Sequence, residues 1–183
     1  LSEQRGEHTM GAYRSGLNEL VLFEHADPEA TYRNLHHEQF HHFTGLMVRR
    51  PLPYWFNEGL AEYMAGLAIR DGKVVESGRL LKDRLRMIQA GLSAGFSIPF
   101  ERIMRESPGE FYSGPVAFKY AQAWSMVHFF FEHQKGRHRG LIDRYFAELR
   151  AGRTAEEAYD AVFREKAAEL QKEWGAYVKA LKP

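Results

Sequence analysis

Asp27-Pro28-Glu29-Ala30-Thr31-Tyr32-Arg33-Asn34-Leu35-His36-His37-Glu38-Gln39-Phe40-His41-His42 is the stretch on which the reading of this chain turns. It opens as a helix. Asp27 can cap free N–H groups, Pro28 suits the first turn, and Glu29 complements the positive end of the helix dipole. The helix is predicted to run from residue 28 to about residue 48, ahead of the break at Pro51-Leu52-Pro53. Within it His37 and His41 are four residues apart, so both imidazoles project from one face about a turn apart. Two imidazole nitrogens so placed can converge on one Zn²⁺ ion. Glu38, next to the first of them, can reach a water molecule on the open side of the ion. This is the H-E-x-x-H spacing, in which zinc lowers the pKa of water toward ~7 and the glutamate takes the proton as the water attacks a carbonyl. His36 and His42 are rotated off that face by about 100° each and are read as surface or core-edge residues.

Two histidines leave a catalytic zinc site short of a protein ligand. A second helix, over about residues 55–65, offers one. Its segment Asn57-Glu58-Gly59-Leu60-Ala61-Glu62-Tyr63 places Glu58 and Glu62 on one face. Apolar neighbours Trp55, Phe56, Leu60 and Ala61 predict that the carboxylates are buried. A buried carboxylate needs a cation or a hydrogen-bond partner. The residues between His41 and Glu58 suffice for the first helix to end, turn and pack against the second antiparallel to it. On spacing alone either glutamate is a candidate ligand.

Working outward, residues 1–14 are polar and carry little pattern. Residues 18–24 read as a strand at a sheet edge. Gly66 is a stop for the second helix. Asp71-Gly72 reads as a tight turn joining strands over 67–70 and 73–76. Helices are expected over about 79–90, 99–106, 115–134, 139–151, 155–164 and 166–181, with Thr154 as an N-cap. The expected class is α+β and mostly helical. The chain is taken as one domain over 1–183: an edge-strand segment (1–27), the pair of zinc-binding helices (28–66), then a hairpin and helical part (67–183).

Composition narrows the partners. The 183 residues include no cysteine and carry a formal net charge of +1. Disulfides, cysteine-ligated zinc and cysteine nucleophiles are thereby excluded. A near-neutral charge leaves no footprint for nucleic acid. No apolar run reaches the roughly 20 residues of a membrane-spanning helix. The chain opens on Leu1 with no leader pattern, as expected of a processed protein or a fragment, and a secreted or periplasmic location is slightly favoured over the cytoplasm.

The set His37-Glu38-x-x-His41 with Asn57-Glu58-Gly59-x-Ala61-Glu62-Tyr63 resembles the gluzincin metallopeptidases, most closely the peptidase-MA-like families, which are found largely in bacteria. The resemblance implies a zincin-like catalytic domain that hydrolyses peptide bonds with one Zn²⁺ ion. It implies that Glu58 is the third metal ligand and that Glu62 orients a ligating histidine, which agrees with the general need of a zinc-bound imidazole for an acceptor on its other nitrogen. Lys119-Tyr120-Ala121-Gln122-Ala123-Trp124-Ser125 resembles the segment whose tyrosine stabilises the oxyanion, which implies that role for Tyr120, with Tyr112 as the fallback. Gly11-Ala12-Tyr13-Arg14-Ser15 stands where related aminopeptidases carry Gly-Ala-Met-Glu-Asn. This implies that Gly11 and Ala12 line a bound peptide and that residues 18–24 pair with it in extended form. Arg14 replaces the acidic residue that holds a substrate's amino terminus, which argues against an aminopeptidase. Gluzincins commonly carry a larger sheet before the metal helix, so upstream strands are either reduced here or lie outside this chain.

Two other readings use the same residues. In one, the zinc site is a non-catalytic staple in a peptide-binding module that presents its edge strand. A fourth protein ligand, His36 or His42 being the first suspects, separates that reading from catalysis. In the other, Glu38-x-x-His41 belongs to a di-iron bundle, but such a site needs a second Glu-x-x-His and the chain has none.

Overall fold

The structure, a computed structural model, describes residues 11–14, 16, 17, 19–48 and 51–182. The polar residues 1–10, and Asn18 at the start of the expected strand, lie outside the described residues.

The chain is α+β and mostly helical, as its patterning predicts. Strand β1 (Gly11–Arg14) pairs antiparallel with β2 (Glu19–Leu22), Gly11 opposite Leu22 and Arg14 opposite Glu19. The strand at β1 is a correction, because residues 1–14 show no alternation from which to read it. Both strands lie against helix α1 (Pro28–Met47). Asp27 caps α1 by accepting from the Glu29 N–H at 3.0 Å, and Val48 leaves the helix in extended conformation. Helix α2 (Tyr54–Ala65) follows Pro53 and packs on α1. Strands β3 (Ala68–Arg70) and β4 (Lys73–Glu76) form the expected hairpin. Asp71 and Gly72 both have positive φ, 51° and 71°, as a two-residue turn of this hand requires.

Helix α3 (Lys82–Ser93) starts later than the pattern suggests. Gly78 takes φ 68°, where a Cβ would sit 2.5 Å from the Glu132 carboxyl carbon, and Leu81, just ahead of the helix, is still extended. The helix expected over 99–106 is the single turn α4 (Phe100–Ile103). A further turn, α5 (Pro108–Phe111), is closed by a reciprocal cap between Ser107 and Glu110. Helix α6 (Val116–Glu132) stops short of residue 134, because Gln134, Lys135 and Gly136 are all left-handed. Helices α7 (Arg139–Arg150), α8 (Ala155–Val162) and α9 (Ala167–Ala180) complete the chain. Thr154 caps α8 as expected, through a reciprocal pair with Glu157.

The core is built around α6, whose residues from Ala121 to Phe130 are all buried. Trp55 from α2, Trp124 from α6 and Trp174 from α9 are fully enclosed. Truncating any of them to alanine costs roughly 3–5 kcal/mol. Helix α2 lies so close to α6 that a Cβ on Gly59 would stand 2.6 Å from the Ala123 carbonyl oxygen. No helix among the described residues is long and apolar enough to cross a membrane.

Candidate metal centre

The two-helix unit α1–α2 gathers the polar residues that the sequence singles out. Helix α1 is superficial: Glu38 is its one buried residue, with His37 and His41 half-buried beside it. Helix α2 is embedded, which carries Glu58 and Glu62 inward to 2% and 6% exposure. Glu58 turns its carboxylate toward His37 and His41 on α1, while its neighbour Gly59 lies hard against α6.

The result is a tight triangle. His37 Nε2 and His41 Nε2 are 3.0 Å apart, and Glu58 Oε2 lies 3.4 Å from the first and 3.3 Å from the second. Donors bound tetrahedrally at about 2.0–2.1 Å stand roughly 3.3 Å from one another, so these three atoms have the spacing of one face of such a site. The donor chemistry also suits an ion. Glu58 Oε2 is buried with no hydrogen-bond partner. At 3.0 Å at least one of the two Nε2 atoms turns a lone pair toward the other, so electron-rich nitrogen and carboxylate oxygen face a common point. His36 and His42, the suspects for a fourth ligand, are not among the converging groups.

Proton affinities reflect the same crowding. Burial works against a charged His37, but Glu58, Glu62 and Glu38 outweigh it and hold its pKa above the usual histidine value. Burial likewise opposes a charged Glu58, yet the two imidazoles hold it far below the usual carboxylate range.

Supporting contacts surround the triangle. Glu62 lies 3.5 Å from His37 Nδ1, where an acceptor for the imidazole N–H is needed. Arg84 from α3 grips Glu62 with two hydrogen bonds of 2.9 Å, from Nε and from a terminal nitrogen. Asn57 places its side-chain amide 3.2 Å from His41 Nδ1. With Nε2 on an ion, His41 carries its proton on Nδ1, and Asn57 then presents its carbonyl oxygen after a half-turn of the amide. A cleft of about 210 Å³ opens beside Arg33, Asn34, His37, Glu62, Asp83 and Arg84. Glu38, His41 and Glu58 do not line it, so it gives onto the supporting side of the triangle.

Two tyrosines reach the site. The Tyr112 hydroxyl, at the end of α5, donates to Glu58 Oε1 at 2.6 Å. That contact fixes the oxygen that does not face the histidines. Tyr120 on α6 lies along His37, ring centroids 6.5 Å apart and nearly parallel, with the Arg84 guanidinium 5.7 Å from its own ring centroid. Gly11 and Ala12 lie in β1, opposite Leu22 and Val21, on the hairpin that rests against α1. Arg14 pairs with Glu19 at 3.8 Å on the surface.

Sequence reasoning named the triangle, Glu62 and both tyrosines. It did not assign partners to Asn57 or Arg84. The motif quoted above contains Asn57, and its place directly before Glu58 was the available signal. Arg84 gave none: it comes from another helix, 22 residues beyond Glu62, and the two meet because α2 and α3 both pack on α6.

No curated protein and no solved structure matches the chain. A family model does, over residues 30–147, a span that holds the His37–His41–Glu58 triangle, Glu62, Arg84 and both tyrosines. The chain therefore belongs to DUF1570, a family described as proteins of unknown function.

Proposed function

We propose that this protein is a zinc-dependent peptidase of the zincin-like, gluzincin type. The observation that carries the reading is the buried triangle of His37, His41 and Glu58, with edges of 3.0–3.4 Å and an unpartnered carboxylate oxygen at one corner. The buried Glu38 beside it, the acceptor on His37 and the two nearby tyrosines give the triangle the surroundings that hydrolysis needs. The motif resemblance points the same way.

His37, His41 and Glu58 would hold one zinc ion. When bound, the ion supplies Lewis acidity, bringing the deprotonation of water into the neutral range and polarising a carbonyl. The rest falls to the chain. Glu38 accepts the proton of the attacking water and returns it to the departing amine. Tyr120 donates a hydrogen bond to the developing oxyanion. Glu62, clamped by Arg84, holds His37 in the tautomer that leaves Nε2 free. The β1–β2 hairpin, with Gly11 and Ala12, supplies an open strand edge along which an extended peptide can pair.

The test is Glu38→Gln, which keeps the size and polarity of the side chain but not its basicity. Peptide hydrolysis is expected to fall at least about 100-fold, the scale of a lost general base, with zinc retained at one equivalent per triangle. Undiminished cleavage rejects the mechanism. Zinc and peptide binding with no cleavage in the parent protein as well makes it a peptide-binding module instead.

A further inference from the structure

The left-handed run Gln134, Lys135, Gly136 that ends α6 has φ of 47°, 60° and 80°. Only the last of these is a glycine, so two side chains are held in a conformation that L residues rarely adopt. The run turns the chain back on itself and brings His133, at the end of α6, beside His138, at the start of α7. Their rings lie parallel within 12°, centroids 6.1 Å apart. Glu173 rises between them from α9. His133 Nε2 is 3.1 Å from one carboxylate oxygen and His138 Nε2 is 3.0 Å from the other.

We infer that His133, His138 and Glu173 form a second binding site for a divalent ion of the zinc class, separate from the triangle on α1 and α2. Four features carry this. The ligand atoms of the three groups lie within 4.8 Å of one another. Each carboxylate oxygen faces a different imidazole, the arrangement of a carboxylate that grips an ion touched by both rings. The rings are fixed from behind: Phe129 packs on both, at 5.2 and 5.0 Å, and Tyr177 meets His133 edge-on at 4.9 Å. All three ligand side chains are 12–25% exposed, so an ion can enter and keep water in its remaining positions.

Two imidazoles and one carboxylate select zinc, nickel or copper over calcium and magnesium, which prefer all-oxygen sites. Among the described residues, the one competing side chain of fixed positive charge is the Arg137 guanidinium, 3.4 Å from Glu173. It is mostly exposed, and a surface ion pair of that kind is easily displaced. An ion here would staple the α6–α7 turn to α9. The site stands about 20 Å along α6 from Tyr120, by the rise of a helix, so it serves as a fastening and takes no part in the proposed hydrolysis.

The test counts Zn²⁺ binding to the intact chain after chelation and dialysis. Two equivalents are expected, falling to one in Glu173→Gln and to one in His37→Ala. Equal stoichiometry in the intact chain and Glu173→Gln overturns the inference. Histidine-ring NMR of the intact chain gives a reading that no folding defect can confuse. His133 and His138 signals are expected to shift with added Zn²⁺; if they stay put, the site does not exist. Loss of zinc from His37 and His41 alone sinks the peptidase reading and leaves this one standing.

Discussion

Tyr112 and Tyr120 touch the candidate metal site through different partners, and that difference separates their expected roles. Tyr112 donates to Glu58 Oε1, so it steadies a candidate metal ligand. Tyr112→Phe is expected to weaken zinc binding by roughly 10-fold or more, as loss of a ligand's supporting partner does. Tyr120 meets the site through its ring, which lies along the His37 imidazole. Tyr120→Phe is expected to leave zinc affinity unchanged and lower kcat by roughly 10²–10³, the size of a lost oxyanion donor. Zinc titration and steady-state kinetics on both variants check the split; equal effects on affinity refute it.

At the scale of elements, the close approach of α2 to α6 governs the site. Gly59→Ala puts a Cβ 2.6 Å from the Ala123 carbonyl oxygen, a backbone atom that cannot swing aside. A cost of about 1–3 kcal/mol in urea unfolding is expected, as for other overpacked cores. The same shift moves Glu58 outward, so zinc affinity is expected to drop with stability. Helix α3 contributes through one residue. Arg84→Met leaves Glu62 buried without its two-pronged partner. Zinc affinity is expected to fall about 10-fold, with partial rescue in Arg84→Lys, which restores the charge but not the paired geometry. A purely structural role for Arg84 would lower the melting temperature and leave zinc affinity alone.

For the whole molecule, the proposed metal would compete with protons for the same atoms. His37 has a raised pKa in the folded, metal-free chain, so its contribution to stability is full below its usual value of 6.5 and fades as pH rises through the raised one. Glu58 has a lowered pKa, so its contribution is full above its usual value of 4.5 and fades only in strong acid. Their pairing therefore stabilises the metal-free chain most between about 4.5 and 6.5. Zinc needs His37 unprotonated, so its own stabilisation grows with pH through the raised His37 value. At 100 times its dissociation constant zinc adds about 2.7 kcal/mol, or roughly 5–10 °C of melting temperature for a chain of this size. The gap between zinc-loaded and chelated melting curves is expected to widen as pH rises past that value. A gap independent of pH would show that His37 is not a ligand.

Local rules carried much of this protein. The His37–His41 spacing is a consequence of helical pitch, Asp27-Pro28-Glu29 of capping, and Asp71-Gly72 of a turn that needs positive φ; each is decided within a few residues. The burial of Glu58 and Glu62 was legible too, because apolar neighbours on α2 leave that helix no exposed face. What stayed hidden joins segments far apart in the chain. The β1 strand has no alternation and exists through its pairing with β2. Helix α3 starts late, after a left-handed turn at Gly78 that lies against Glu132 of α6. Arg84 meets Glu62, and His133 and His138 meet Glu173, only because separate helices pack together. The sequence by itself determined which residues are candidates to bind a metal; the tertiary structure decided which of them meet and what holds them there, because periodicity acts over a turn of helix while packing acts across the whole core.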